Sequence, residues 1–313
     1  MSQPQAVIAL HGGAGTIEPG APDAAEHLQA LRAAARAAQA LLAAGGAALD
    51  AVELAVVMLE DCPLFNAGRG AVCTADGTHE LDASIMDGAT GAAGAVACVS
   101  GIRNPVRAAR LVMSHGAHVL MAGAGAERLA REHGLAFEPP EWFDTPLRRA
   151  QLERVRGASG GGAGTALDHD PPARLGTVGA VALDARGALA AATSTGGMTN
   201  KRAGRIGDSA VIGAGCWADR AVAVSTTGTG EAFIRCAAAH ALAARIELAG
   251  ATLEAAARDV VDRLLPQAGG RGGLIAVDAG GAVALPFGTP GLYRAVGRVG
   301  EPVRAAIHGE WAA

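Results

Sequence analysis

Thr177 stands in Arg174-Leu175-Gly176-Thr177-Val178-Gly179-Ala180-Val181, and what precedes it gives it chemical interest. A glycine-rich tract, Gly157–Thr165, is followed by Asp168-His169-Asp170-Pro171-Pro172; two strand-like runs, Thr177–Asp184 and Ala188–Thr195, come after. A flexible tract of this kind marks a linker. One that stops abruptly at Gly-Thr before a buried-looking strand suggests a cut site. Hydrolysis of Gly176–Thr177 would leave a threonine carrying both a hydroxyl nucleophile and a free α-amine. That amine titrates near pH ~8 and can act as the base for its own hydroxyl. On the tract alone, an ordinary surface linker leading into a strand is the plainer reading.

Two further stretches carry polar groups in useful order. In Thr193-Ser-Thr195-Gly-Gly-Met-Thr-Asn-Lys-Arg-Ala-Gly-Arg205-Ile206-Gly207-Asp208, strand-end hydroxyls lead into a loop with one cation and one anion three residues apart. An arginine fork suits a carboxylate and an aspartate suits an ammonium, so Arg205 and Asp208 could grip the zwitterionic end of an amino acid. Taken alone, the pair also fits a solvated surface ion pair. Thr227-Gly228-Thr229-Gly230-Glu231 falls between a strand and a helix start, where backbone N–H groups favour negative charge. It reads as an oxyanion hole or carboxylate seat, or as a turn with a helix cap. His11-Gly12-Gly13-Ala14-Gly15 lacks the phosphate-loop pattern, and its glycines could instead let backbone pass close to a reactive centre. Gly123-Ala-Gly125 has no third glycine in register for a dinucleotide fingerprint, and His115 and His118 are too isolated to suggest a metal site.

The elements that would position these residues come in blocks of strands and blocks of helices. Expected strands are Ala6–Leu10, Val72–Thr74, Glu80–Asp87, Ala93–Val99, Val119–Ala122, the two runs after Gly176, and Ala221–Ser225, with a closing hairpin Gly273–Asp278/Val283–Phe287. Expected helices are Ala21–Ala44, Ala47–Leu59, Pro105–His115, Glu127–His133, Glu231–Leu248 and Leu253–Leu265. This order fits antiparallel-rich sheets covered by helices better than a doubly wound fold. Half of the 313 residues are hydrophobic but only 3% are aromatic, so the core must be built from small aliphatic side chains packed closely. A formal charge of −4 gives no reason to expect nucleic-acid binding. The N-terminus does not read as a signal peptide, and no apolar run is long enough to span a membrane. Five cysteines without CxxC spacing read as buried reduced thiols of a cytoplasmic protein, with no zinc signature.

Together the motifs resemble one family over nearly the whole chain. Leu64-Phe-Asn66-Ala-Gly-Arg-Gly-Ala, Glu80-Leu-Asp-Ala-Ser-Ile-Met-Asp-Gly88, Gly176-Thr-Val-Gly-Ala-Val, Thr195-Gly-Gly-Met-Thr-Asn-Lys, Gly204-Arg-Ile-Gly-Asp-Ser209 and Thr227-Gly-Thr-Gly-Glu231 occur in the order and spacing of plant-type L-asparaginases/isoaspartyl peptidases of the bacterial branch. These are N-terminal nucleophile hydrolases.

The resemblance implies an α+β fold, the four-layer αββα sandwich. It implies a precursor that cleaves itself into residues 1–176 and 177–313, which stay associated and assemble as a dimer of such pairs. Thr177 would be the nucleophile, Thr195 its polarising neighbour and Asn66 the group that orients it. Arg205, Ile206, Gly207 and Asp208 would bind the substrate's α-carboxylate and α-ammonium. Thr227 and Gly228 would form the oxyanion hole, with Thr229 and Gly230 beside the substrate. The substrates implied are L-asparagine and β-aspartyl dipeptides. No redox or organic cofactor is required, while a structural sodium ion on the backbone carbonyls of Leu59, Glu60, Cys62, Phe65, Ala67 and Arg69 is compatible with that loop. Glycosylasparaginases usually carry Thr-Gly-Asn-Gly-Asp where this chain has Thr-Gly-Thr-Gly-Glu. Threonine aspartase proteases lack the aspartate that Asp208 supplies. A non-catalytic scaffold is disfavoured because every chemical position holds a competent residue.

Overall fold

The computed structural model describes residues 5–115, 117–158, 176–309 and 311, so most of the tract at 157–172 lies outside the described residues. The chain runs β1 (Val7–Gly15), α1 (Ala24–Ala43), α2 (Ala48–Glu60), β2 (Leu81–Asp87), β3 (Ala93–Val99), α3 (Pro105–Ser114), β4 (Leu120–Ala122), α4 (Gly123–Glu132), α5 (Pro140–Phe143) and α6 (Pro146–Ala158). After Gly176 come β5 (Val178–Leu183), β6 (Leu189–Thr195), β7 (Cys216–Ala218), β8 (Val222–Gly228), α7 (Gly230–Arg235), α8 (Ala238–Ala249) and α9 (Leu253–Arg258). A π-helical turn over 259–264 then leads into α10 (Leu265–Gln267), β9 (Gly272–Asp278), β10 (Val283–Ala284), β11 (Gly291–Arg298) and β12 (Arg304–Ala306).

Two sheets organise this mixed α/β protein. One has eight strands in the order β12-β11-β1-β5-β6-β2-β3-β4, and the other has four in the order β10-β9-β8-β7. The pairings are antiparallel except β3 with β4. In the large sheet, β1 lies between β5 and β11, and β6 pairs with β2. Strands from before and after residue 177 are therefore interleaved in one ladder.

Strand periodicity divides the core. In β5 and β6, Ala180, Ala182, Ala190 and Ala192 join one cluster with Leu31, Ala35, Val52 and Val56 of α1 and α2. The alternate residues Val181, Leu183, Leu189 and Ala191 join another with Cys216, Ala223, Ile275 and Val277 of the small sheet. A third cluster unites Val224 and Leu274 with Leu242, Leu253 and Val260 of the C-terminal helices. Alanine on facing surfaces brings helices and sheet close together, which is how so few aromatic residues suffice.

Several elements depart from the sequence expectation. β1 does not stop at Leu10 but continues through the glycines to Gly15, with a register shift between His11 and Gly13. Residues 72–74 are irregular apart from an isolated bridge, Thr74 to Lys201, and lead into a turn instead of forming a sheet strand. The helix expected over Glu231–Leu248 is two, broken where Ala237 adopts a left-handed backbone with φ 45° and ψ 51°. The hairpin of β9 and β10 does not close the chain, because β11 follows and returns beside β1. Helices α5 and α6 also escaped the sequence reading. Among the described residues, no helix is long and apolar enough to cross a membrane.

Candidate active site

Gly176 and Thr177 lead into β5 against the ends of β1, β6 and β8. Val178 pairs with Ser194, so Thr177 and Thr195 come next in register on neighbouring strands. Thr177 is buried, and its Oγ1 lies 3.4 Å from Ser209 Oγ. A small cavity of about 10 Å³ is lined by Gly176, Thr177, Thr195, Gly197, Met198, Arg205, Gly207, Asp208 and Gly228. With the chain intact, that is room for about one water molecule.

Glycine makes the approach of chains here possible. Gly13 has φ +109°, and a Cβ on it would stand 2.5 Å from the Gly176 nitrogen. A Cβ on Gly176 would come within 2.7 Å of Thr227 Oγ1, which in turn accepts a hydrogen bond from Ala14 N at 3.2 Å. The bond between Gly176 and Thr177 is thus held between the bulge of β1 and the Thr227 hydroxyl. The His11–Gly15 motif passes backbone close to the candidate centre, as one of its sequence readings had it.

His11 is a side chain beside the candidate centre that sequence reasoning did not single out. Fully buried, it places Nδ1 2.9 Å from the Thr177 carbonyl oxygen and Nε2 2.8 Å from Ser225 Oγ. A carbonyl only accepts, so Nδ1 carries the proton and Nε2 accepts from Ser225. Burial pushes the imidazole down to about 3, against the pull of the Thr177 carbonyl, so the ring is neutral. Thr193 Oγ1 lies 2.7 Å from Ser225 Oγ and extends the chain of hydroxyls. Gly179 completes the arrangement, since a Cβ there would fall 2.0 Å from Ser225 Oγ and 2.5 Å from His11 Nε2. The signal available in sequence was a histidine at the end of a strand opposite Gly179.

Arg205 and Asp208 reach the same cavity without pairing with one another. Arg205 Nε and Nη2 donate to Glu231 Oε1 at 3.0 and 2.8 Å, and its Nη1 lies between Gly197 and Gly207. Cβ atoms there would stand 3.3 and 2.8 Å from Nη1. Asp208 accepts from Thr226 Oγ1 at 2.8 Å. Burial pushes its carboxyl up to about 6, while the Thr226 hydroxyl and the charge of Arg205 work the other way. Gly230 separates the two: a Cβ on it would lie 2.9 Å from both Arg205 Nη2 and Asp208 Oδ1. Behind them Asp82, buried and raised, accepts from Gly207 N at 3.4 Å, and Lys201 donates to the Glu80 carbonyl at 2.9 Å.

The remaining expected residues lie in and around the same loops. Asn66 donates from Nδ2 to Gly197 O at 2.7 Å and accepts from Val72 N at 3.0 Å, tying its loop to the 196–197 turn. Thr195 Oγ1 accepts from Gly197 N at 2.9 Å. Thr229 precedes α7 without capping it; its Oγ1 accepts from Arg271 N at 3.1 Å. Ile206 is exposed and does not line the cavity. In the 59–69 loop the buried Glu60 carboxyl accepts from Ser194 Oγ at 2.7 Å and Val106 N at 3.0 Å, and burial lifts it to about 8.

Comparisons with known proteins find similar chains. A family model described as "Asparaginase" matches residues 4–305. The chain is 54% identical to an isoaspartyl peptidase of Salmonella typhimurium, over 98% of this chain and 99% of that one. It is 53% identical to the isoaspartyl peptidase of Escherichia coli, over 98% and 97%. It is 43% identical to a human isoaspartyl peptidase/L-asparaginase, over 88% and 87%. The chain belongs to the asparaginase family.

Proposed function

We propose that this protein hydrolyses L-asparagine to aspartate and ammonia, and β-aspartyl dipeptides to aspartate and an amino acid, after cutting itself between Gly176 and Thr177. The observation that carries the reading is the buried Thr177 hydroxyl in one cavity with Arg205 and Asp208 on either side of Gly230. That spacing suits the α-carboxylate and α-ammonium of one aspartyl unit, leaving its side-chain carbonyl to face Thr177. In the intact chain the Thr177 nitrogen is an amide and Gly176 takes up part of the cavity. Cleavage would expose the amine and clear space for substrate in one step.

In the mature enzyme the Thr177 amine takes the hydroxyl proton, directly or through water, as Oγ1 attacks the side-chain carbonyl. Thr227 and Gly228 hold the developing oxyanion. The amine returns the proton to the leaving nitrogen, and ammonia or an amino acid departs. Water then opens the β-aspartyl ester on Thr177. Thr195 polarises the nucleophile, Asn66 fixes the turn behind it, and Ile206, Gly207 and Thr229 complete the substrate loop through their backbone. Because β1 pairs with both β5 and β11, the pieces 1–176 and 177–313 would remain joined by ladder hydrogen bonds after the cut.

The finer assembly belongs to the same proposal: a four-layer αββα arrangement, a dimer of cleaved pairs, and residence in the cytoplasm, where the five free cysteines would stay reduced. Neither nucleic acid nor membrane is a partner in this reading. No redox or organic cofactor enters the steps above. A sodium ion would be held by the carbonyls of Leu59, Glu60, Cys62, Phe65, Ala67 and Arg69. Glycine lets that loop close, since a Cβ on Gly68 would stand 2.5 Å from Glu60 O and one on Gly70 2.1 Å from Phe65 O. Some of these carbonyls also accept hydrogen bonds, as Phe65 O does from Ala67 N at 3.0 Å, but a carbonyl has a second lone pair for a cation. Neutral oxygens suit such a hard ion, whose contribution would be rigidity beneath Asn66.

The test is kinetic. Aspartate release should be seen from L-asparagine and from a series of β-aspartyl dipeptides. Activity confined to glycosylated asparagine, or to α-linked peptides, would contradict the assignment.

A further inference from the structure

Away from the Thr177 cavity, Cys73, His79 and Asp144 bring one ligand atom each within 4.8 Å of one another. Cys73 and His79 flank a tight turn in which Thr74 N donates to Thr78 O at 2.8 Å, and Cys73 Sγ lies 4.0 Å from His79 Nε2. Asp144 comes from the junction of α5 and α6. Cys73 is buried and His79 only 9% exposed. Two polar atoms of the group, His79 Nδ1 and Asp144 Oδ1, are buried with no hydrogen-bond partner among the described residues. An unpaired buried polar atom carries a desolvation penalty, and Asp144 Oδ1, close to the Cys73 thiol and the His79 ring, calls for a ligand.

We propose that Cys73, His79 and Asp144 form a divalent-metal site of the zinc class, with its fourth position open to solvent. Thiolate, imidazole and carboxylate are the donors zinc takes, and three protein ligands with one open position is a standard arrangement for it. Tetrahedral bonds of ~2.0–2.3 Å set ligand atoms ~3.3–3.7 Å apart, so the longest separation in the group must contract by up to ~1.5 Å. The open side is a cavity of about 290 Å³ that His79 and Asp144 line with Ser100 and Glu141, giving a bound water a place. Binding replaces the Cys73 S–H bond by a sulfur–metal bond and releases the proton to solvent.

Three arginines oppose the charge balance. Arg149 holds Asp144 Oδ2 through Nε at 2.7 Å, and Arg148 and Arg156 also lie near Cys73. Arg149 is 59% exposed and can keep its hold on Oδ2 while Oδ1 turns to the metal. A thiolate and a carboxylate neutralise the dication. The site would pin the start of α6 to the 73–79 turn. That helix already crosses the same region through Arg148 Nε to Gly70 O at 2.5 Å and Arg156 to Ala75 O. The turn packs on the loop behind the active site, where Asn200 N donates to Cys73 O at 2.9 Å.

The experiment uses the full-length untagged protein, freed of metal with a chelator and titrated with zinc or cobalt(II) salts. Expected are one equivalent of metal per chain, a sulfur-to-cobalt charge-transfer band, and a melting temperature raised by zinc. Cys73→Ser should abolish the band, and Cys73→Ser with Asp144→Asn should bind no metal at the wild-type stoichiometry. Far-ultraviolet circular dichroism and turnover of a β-aspartyl dipeptide report that the variants are folded. Wild-type protein that takes up no more zinc than the double variant would overturn the proposal. So would a charge-transfer band that survives Cys73→Ser, because the thiolate would then be another cysteine.

Discussion

His11 Nδ1 lies 2.9 Å from the carbonyl oxygen of Thr177, and the same ring accepts from Ser225 through Nε2 at 2.8 Å. The carbonyl on one side of the candidate nucleophile is thereby fixed by a neutral, fully buried donor from another strand. His11→Ala would strip partners from the Thr177 carbonyl and the Ser225 hydroxyl and leave a hole. The cost should be about 2–4 kcal/mol of stability, with slowed self-cleavage. Chemical denaturation and the rate of fragment appearance check this. A variant as stable and as quickly cleaved as wild type would show that the contact is incidental.

Gly179→Ala tests the same contact from the opposite strand. Its Cβ would need the space held by Ser225 Oγ and His11 Nε2, at 2.0 and 2.5 Å. The variant should mature slowly or not at all, and its remaining turnover should be reduced in kcat more than in KM, as for a positioning defect. Combining it with Ser225→Ala, which removes the nearer obstacle, should recover part of the lost rate.

Gly230→Ala probes the substrate grip. A methyl group between Arg205 and Asp208, 2.9 Å from each, should leave folding and cleavage intact while lowering kcat/KM for L-asparagine roughly ten- to hundred-fold. Unchanged kinetics would mean that the aspartyl unit does not lie between these two charges.

Asp208 gives a pH dependence with a definite sign. Its carboxyl titrates at about 6, so below that pH it is neutral and cannot pair with an ammonium group. In the free enzyme kcat/KM, already falling at higher pH as the Thr177 amine is protonated, should fall more steeply as pH drops through about 6, and Asp208→Asn should lose this added limb along with most of its activity at neutral pH. Bound substrate ammonium stabilises the carboxylate, so the matching limb in kcat should lie at lower pH. A kcat/KM profile with the same acid limb in wild type and Asp208→Asn would assign that limb to another group.

The sequence was legible where a residue type is tied to local geometry. Pro105 opens α3, and two strand-like runs on either side of residues 184–187 mark β5 and β6. Thr177, Arg205 and Asp208 stood out as chemistry beside glycine, and the structure brings them to one cavity. What escaped depends on partners distant in the chain. Ala237 breaks a helix without glycine or proline to signal it. Arg294 and Arg298 hid β11, which is a strand because β1 and β12 flank it. His11 gained its meaning only once β5 and β8 lay beside it, and no spacing rule joins Cys73 and His79 to Asp144.

The measurement closest to the central claim is the intact mass and N-terminal sequence of the purified protein beside its Thr177→Ala variant. Wild type should give two fragments, the second beginning Thr177-Val178-Gly179, that co-purify and hydrolyse L-asparagine. The variant should give one uncleaved, inactive chain. Two normal fragments from Thr177→Ala, or full activity from a wild-type chain that never cleaves, would contradict the assignment of Thr177 as the nucleophile for both reactions.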